Sequence, residues 1–268
     1  DSCTRNVTLG YAMRCQDTTI TEQLNDGYRY LDLRLDIDDK DSSKLKLVHN
    51  FVNCHESGSI FSDYLYFDGV CADIYSFLQQ HPDETVIVNL KVENDDTSIS
   101  AVQDLVLAEL QANSDYWYTD GAIPTLGEVR GRAVLATRYK DEGATGITGL
   151  NLKWAQQNKS VPADIPYELY VNDDFRYWVQ DQYKYSVEDK YGAVVDGLEN
   201  CEADASTFFI NFVSTSGDGK IGHPRGYANT LNDLLLNYDL REGTSYGIIV
   251  VDFGTADLAR HIYYTNSF

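Results

Sequence analysis

Cations are scarce in this sequence: Lys and Arg number 21 against 42 Asp and Glu, a formal net charge of −21. That balance argues against nucleic acid as a partner and against electrostatic docking on anionic lipid. Self-repulsion at this charge favours a monomer. Long apolar runs are also missing. The longest, Tyr246–Phe253 and Phe208–Val213, fall far short of the roughly 20 residues that span a bilayer, so no transmembrane segment is expected. Proline is sparse, with five residues, and no Pro/Ser linker, low-complexity tract or internal repeat interrupts the chain. Zinc-type spacing is absent among the five cysteines, Cys3, Cys15, Cys54, Cys71 and Cys201. Their odd number allows at most two internal disulfides and leaves one thiol over. No metal and no cofactor is expected.

What is present is an ordinary globular composition, 43% hydrophobic and 24% charged. Two Asn-x-Ser/Thr triplets, Asn6-Val7-Thr8 and Asn158-Lys159-Ser160, suit a secreted, extracellular protein. The start at Asp1-Ser2, without Met or signal peptide, reads as a processed or trimmed chain. Strand and helix patterns alternate. Strands are predicted over Tyr28–Ile37, Leu45–Asn50, Glu84–Lys91, Gly131–Tyr139, Glu168–Val171, Ser206–Ser214 and Tyr246–Phe253. Helices are predicted over Asp63–Gln80, Ser98–Ala112, Tyr185–Asn200, Asn229–Tyr238 and Ala256–Tyr264. This α/β alternation predicts a single (β/α)8 TIM-type barrel domain over residues 1–268, with the first strand missing or upstream of residue 1.

Polar residues stand where the predicted strands end: Arg34, His49, Lys91, Glu93, Arg138 and Asp252. Strand ends form the active-site mouth of such a barrel. Any one of them is explained by a charge leaving the core. Three cations around one histidine, in a chain this acidic, instead describe an anion site, with phosphate the leading candidate.

The ordered motifs carry a resemblance. Thr19–Leu24 followed by Gly27–Arg34, then Leu47-Val48-His49, then His81–Lys91, Gly131–Tyr139, Val179–Lys184, Phe209–Phe212 and Val250–Phe253 together resemble the phosphatidylinositol-specific phospholipases C of the bacterial, secreted, single-domain type. The resemblance covers nearly the whole chain. It implies cleavage of phosphatidylinositol-type phospholipid at a membrane surface: the inositol 2-hydroxyl attacks the phosphodiester, and diacylglycerol and a cyclic inositol phosphate are released. Two histidines act as general base and general acid. On this pattern His49 is the acid, Arg34 stands where calcium-dependent relatives place a metal ligand, and activity is calcium-independent. Lys91, Arg138, Asp181 and Tyr183 hold the inositol ring, Asp252 orients the base, and Glu93 falls near the ring.

One family element is missing from the pattern. The first histidine belongs to a Gly-Thr-His-Asp-Ser stretch, yet none of His49, His55, His81, His223 and His261 precedes Arg34. One alignment lays Cys3–Asn6 on that stretch, with Arg5 in place of the base, which gives an inactive barrel that binds inositol phosphates or phospholipid headgroups. The other takes Asp1-Ser2 as its tail. It predicts a histidine directly before Asp1 and makes Asp1 the carboxylate supporting His49. Of the remaining features, the Gly-rich segment from Ser214 through His223-Pro224-Arg225 is expected at the mouth or an interfacial rim. The Phe61–Phe67 aromatics are expected to pack a helix onto the core.

Overall fold

Alternating Leu residues give the first sheet its handle. In the computed structural model, which describes residues 1–7, 10–57, 59, 61–139, 147–201, 204, 206–217 and 224–266, the chain falls into two compact units. One comprises 1–25 and 29–153, the other 26–28 and 154–268.

The first unit begins with α1 (Gly10–Met13) and α2 (Ile20–Asp26). The strands β1 (Tyr30–Ile37), β2 (Leu45–His49) and β3 (Val52–Asn53) follow, then α3 (Phe67–Gln80), β4 (Thr85–Val92) and α4 (Ile99–Ala112). It closes with β5 (Trp117–Tyr118), α5 (Leu126–Val129), β6 (Arg132–Thr137) and β7 (Leu150–Asn151). The sheet runs β3-β2-β1-β4-β6-β5, with β7 also on β6. Strands β1, β4, β6, β5 and β7 pair in parallel, whereas β2 and β3 are an antiparallel extension. Leu31, Leu33 and Leu35 of β1 share a buried cluster with Val86, Val88 and Leu90 of β4 and Val70, Ile74 and Leu78 of α3. A strand's side chains alternate between faces. Asp32 and Arg34 therefore occupy the opposite face, and the parallel register sets Asp32 beside Asn89 and Arg34 beside Lys91.

The second unit contains β8 (Glu168–Val171), β9 (Arg176–Gln180), α6 (Val187–Asn200), β10 (Thr207–Phe212), α7 (Pro224–Leu236), β11 (Ile248–Val250) and α8 (Ala256–Tyr263). Its sheet order is β11-β10-β9-β8, parallel except for β8. Helices α6, α7 and α8 contribute Val194, Leu198, Leu231, Leu235 and Leu258 to one buried cluster.

Several expectations need correction. The helix expected from Asp63 begins at Phe67, because Tyr64 and Tyr66 are extended and bridge to His55 and Lys46. Phe61 is exposed rather than packed, whereas Phe67 is buried. The strands at Leu45 and Glu168 are antiparallel partners of parallel strands, not parallel members themselves. Strand β9 was not among the expected strands; its end, Gln180, is polar and fully buried. The run at Tyr246–Phe253 pairs only over Ile248–Val250, which are half-buried. All five cysteines are buried. Residues 218–223 of the Gly-rich segment, His223 among them, lie outside the described residues.

Gly247 tests the backbone at the entry to β11. Its φ is +75°, and an added Cβ would overlap the Phe209 carbonyl oxygen. Gly192, within α6, has nothing within 4 Å of such an atom. Gly247→Ala is expected to destabilise by at least about 2 kcal/mol. Gly192→Ala is expected to stabilise by about 0.5–1 kcal/mol. Urea unfolding of the two variants measures both.

Candidate active site

The β1–β4 register brings two cations to one carboxylate, and a main-chain amide joins them. Arg34 Nη1 donates to Glu93 Oε2 at 3.0 Å, Lys91 Nζ donates to the same oxygen at 2.8 Å, and the Asn50 amide donates to Glu93 Oε1 at 3.1 Å. Arg34 also grips Asp32 with two parallel bonds, Nε to Oδ1 at 3.0 Å and Nη2 to Oδ2 at 2.8 Å. Three of its five N–H groups are thus used, and two remain for a ligand. Asp32 and Glu93 are buried, while Arg34 and Lys91 keep 16% and 23% of their side-chain surface exposed. The cations reach solvent and the anions behind them do not.

Burial alone would raise both carboxyl pKa values. Arg34 outweighs it at Asp32, holding that group well below the usual carboxylate range. At Glu93 the charges of Arg34 and Lys91 hold it at about 2. Burial pushes the Lys91 ammonium down, with Arg34 acting the same way. Arg138 is tied to β4 through its amide, which donates to Leu90 O at 2.7 Å, and its charge acts on both Asp32 and Lys91.

His49 joins this cluster through a turn. It ends β2, and the next residue, Asn50, takes φ 51°, a left-handed conformation that Asn tolerates. That turn aims the Asn50 amide at Glu93. His49 Nδ1 donates to the Met13 carbonyl at 2.8 Å, and the Cys15 thiol lies 3.8 Å from the same nitrogen. A carbonyl only accepts, so Nδ1 carries the proton and Nε2 is the nitrogen left for chemistry. Burial lowers the imidazole pKa to about 4, and Arg34 acts the same way, against the Met13 carbonyl.

Asp1 accepts from the Cys3 amide at 3.1 Å through Oδ1. The other described histidines are engaged elsewhere. His55 donates to Ser62 O at 3.2 Å, His261 donates to Tyr238 O at 2.9 Å, and His81 packs on the Phe77 ring.

Within the second unit, Asp181 follows β9 and accepts from Trp154 Nε1 at 2.9 Å, while its amide donates to Gln157 Oε1 at 2.8 Å. Tyr183 lies two residues on, its amide donating to Asp181 O at 3.0 Å. Asp252 is buried just beyond β11. Its carbonyl and that of Phe253 accept from Asn232 Nδ2 at 2.9 and 3.2 Å. Phe253 has φ 48°, uncommon for a bulky residue. Among the described residues, the two non-glycine residues with positive φ thus flank His49 and Asp252.

The first unit accordingly gathers Arg34, His49, Lys91 and Glu93, with Arg138 within electrostatic reach. Asp181, Tyr183 and Asp252 stand on strand ends of the second unit. Sequence reasoning missed Asp32, Asn50, Met13 and Cys15. The alternation Asp32-Leu33-Arg34 placed Asp32 on the Arg34 face and was the available signal. No pattern announces a main-chain carbonyl such as that of Met13.

The two sheets and their helices define a β/α protein with a cationic cluster, and comparison with known proteins narrows the class. The profile of the family "Phosphatidylinositol-specific phospholipase C, X domain" matches residues 3–139. The chain belongs to the phosphatidylinositol-specific phospholipase C family. It is 27% identical over 265 residues to the 1-phosphatidylinositol phosphodiesterase of Listeria monocytogenes, covering 94% of this chain and 72% of that protein. Among solved structures, the F249X mutant of the Staphylococcus aureus phosphatidylinositol-specific phospholipase C superposes with a TM-score of 0.75 at 21% identity, covering 96% of this chain and 86% of that one. The Listeria monocytogenes enzyme gives 0.74 at 22% identity, over 100% and 90%. These likenesses give the chain the TIM-barrel fold of the bacterial enzymes. No helix among the described residues is long and apolar enough to cross a membrane.

The pKa shifts fix how stability responds to acid. The folded pKa of His49, about 4, lies below its ordinary 6.5. Its neutral form therefore favours folding above pH 6.5, and that contribution is lost as pH falls toward 4. Glu93, depressed from 4.5 to about 2, adds a loss of the same sign at lower pH. Urea unfolding from pH 7 to 3 should show stability declining throughout, and His49→Asn should flatten the segment between 6.5 and 4.5.

Proposed function

We propose that this protein cleaves phosphatidylinositol-type phospholipids, releasing diacylglycerol and a cyclic inositol phosphate. The observation that carries the reading is the Arg34–Glu93–Lys91 cluster beside His49. It presents fixed positive charge backed by buried carboxylates, next to an imidazole with one free nitrogen. The inositol 2-hydroxyl attacks phosphorus, and the bond to the diacylglycerol oxygen breaks. His49 Nε2 gives that oxygen its proton. The imidazole is neutral in the unliganded protein at neutral pH, so the bound phosphodiester anion must favour its protonation.

Arg34 meets the phosphoryl oxygens with its two unused N–H groups, stabilising charge that grows in the transition state. Lys91, Arg138, Asp181 and Tyr183 hold the inositol ring. Asp252 orients the general base. Residues 1–268 act as one monomeric, secreted catalytic domain. The positions that could ligate calcium are engaged, Asp32 by Arg34 and Glu93 by Arg34 and Lys91, so the reaction runs without metal.

Phosphatidylinositol vesicles with a radiolabelled headgroup test this. Release of soluble inositol phosphate should survive chelation, and Arg34→Lys should reduce it by about 10² or more, because a point charge cannot reproduce the planar fork. Calcium-dependent turnover would overturn the metal-free reading. One observation favours a second reading, a headgroup-binding protein without turnover: the described histidines other than His49 are all engaged elsewhere. Saturable binding of inositol phosphate with no product would favour that reading.

Exposed aromatics support action at a lipid surface. Tyr11, two residues before Met13, is 72% exposed, and Phe51, two residues after His49, is 73% exposed. At a net charge of −21, apolar insertion rather than electrostatic attraction must hold the protein there. Phe51→Ser is expected to weaken sedimentation with phosphatidylcholine vesicles severalfold while leaving hydrolysis of a water-soluble inositol phosphodiester nearly unchanged.

A further inference from the structure

Helix α6 carries a lysine with no access to solvent. Lys190 is 0% exposed, and its Nζ donates to Gln180 Oε1 at 2.8 Å. A buried ammonium with a single neutral partner is costly unless opposite charge compensates it. Two buried carboxylates supply that charge: Asp181, directly after Gln180 at the end of β9, and Asp252, beyond β11. Strand β10 and helix α7 also pack on α6. Strand β10 presents the neutral Asn211, whose Nδ2 donates to the Val194 carbonyl at 3.0 Å, and α7 presents Leu231 and Leu235.

The amide of Gln180 is fixed from its other side. Its Nε2 donates to Asn211 Oδ1 at 2.9 Å and to Phe212 O at 2.8 Å, so Oε1 must face Lys190. The same Oε1 accepts from the Gln182 amide at 3.0 Å, and Gln182 Nε2 donates to Pro166 O at 3.0 Å. The segment 180–182, with Asp181 at its centre, is thus locked onto the lysine.

We propose that Lys190 is a positioning residue for the reaction, its buried ammonium holding Asp181 and Asp252 in place. The inference rests on the function proposed above, since it assigns Lys190 to the two carboxylates that bind the inositol ring and orient the base. Burial lowers the lysine pKa to about 7, against the pull of the two carboxylates. Its charge is therefore present below pH 7 and lost above it.

The test measures phosphatidylinositol turnover and urea unfolding of wild type, Lys190→Met and Lys190→Arg from pH 5 to 9. Lys190→Met, which leaves the two carboxylates without their buried counter-charge, should be less stable than wild type at pH 6 and, assayed where urea unfolding shows it folded, should lose about tenfold or more in kcat/KM. Wild-type activity should fall as pH rises past 7. Lys190→Arg, charged throughout, should keep measurable activity at pH 9 relative to its own value at pH 6. Stability gives a readout that needs no turnover. The unfolded chain holds the lysine proton up to about pH 10.5 and the folded chain does not, so wild-type stability should rise between pH 7 and 9. The Lys190→Met curve should lack that rise.

Wild-type kcat/KM in a well-folded Lys190→Met protein would overturn the inference while leaving the proposed function intact. A wild-type protein that never turns over phosphatidylinositol would remove both. If neither variant folds, the wild-type curve decides: a flat profile from pH 7 to 9 would overturn the inference, and a rise would sustain it.

Discussion

Two cations and a main-chain amide converge on the Glu93 carboxylate, and the arrangement of the first unit follows from that convergence. Arg34 and Lys91 share one oxygen at 3.0 and 2.8 Å, and the Asn50 amide takes the other. Guanidinium and ammonium side by side would repel each other on the open face of a sheet. A buried anion between them reverses the balance, and Asp32 does the same for the far side of Arg34. The cluster thus presents positive charge outward on a protein whose overall charge is strongly negative. Tying the Asn50 turn to Glu93 also joins the end of β2, and with it His49, to β1 and β4.

Such a site binds an anion by fixed charge. The bidentate Arg34–Asp32 pair sets the plane of the guanidinium before any ligand arrives, so little rotamer entropy remains to be lost on binding. The Met13 carbonyl does for His49 what Asp32 does for Arg34: it selects the tautomer and fixes the ring. In the second unit the same logic is turned inward, with the cation buried on a helix and the carboxylates at strand ends. Backbone strain marks both places, at Asn50 beside His49 and at Phe253 beside Asp252.

Much of this was legible in the sequence. Leu31, Leu33 and Leu35 announce a strand with one apolar face, and Val86, Val88 and Leu90 announce its neighbour. Given a parallel pairing, Arg34 and Lys91 fall on the same face. The ordered motifs pointed to the family, and the profile match over 3–139 shows membership. What escaped reading has a common cause. The site depends on register and main-chain groups, neither of which a side-chain pattern encodes. The Asn50 amide, the Met13 carbonyl and the Cys15 thiol meet the cluster only once β2 turns back beside β1. Strand β9 and Lys190 were hidden for a related reason. Polar residues there, Gln180, Gln182 and Asn211, are buried against one another and fully enclosed in the fold.

The account's central claim is that this cluster drives transfer of the phosphoryl group to a neighbouring hydroxyl, with His49 protonating the leaving oxygen. Phosphorus NMR of phosphatidylinositol in detergent micelles observes that step directly. The account predicts that the protein converts the diester resonance into that of a five-membered cyclic inositol phosphate, and that His49→Asn, with native stability at pH 7, leaves the diester resonance unchanged. Accumulation of the cyclic product at the wild-type rate in His49→Asn, or a phosphomonoester appearing with no cyclic species before it, would contradict the account.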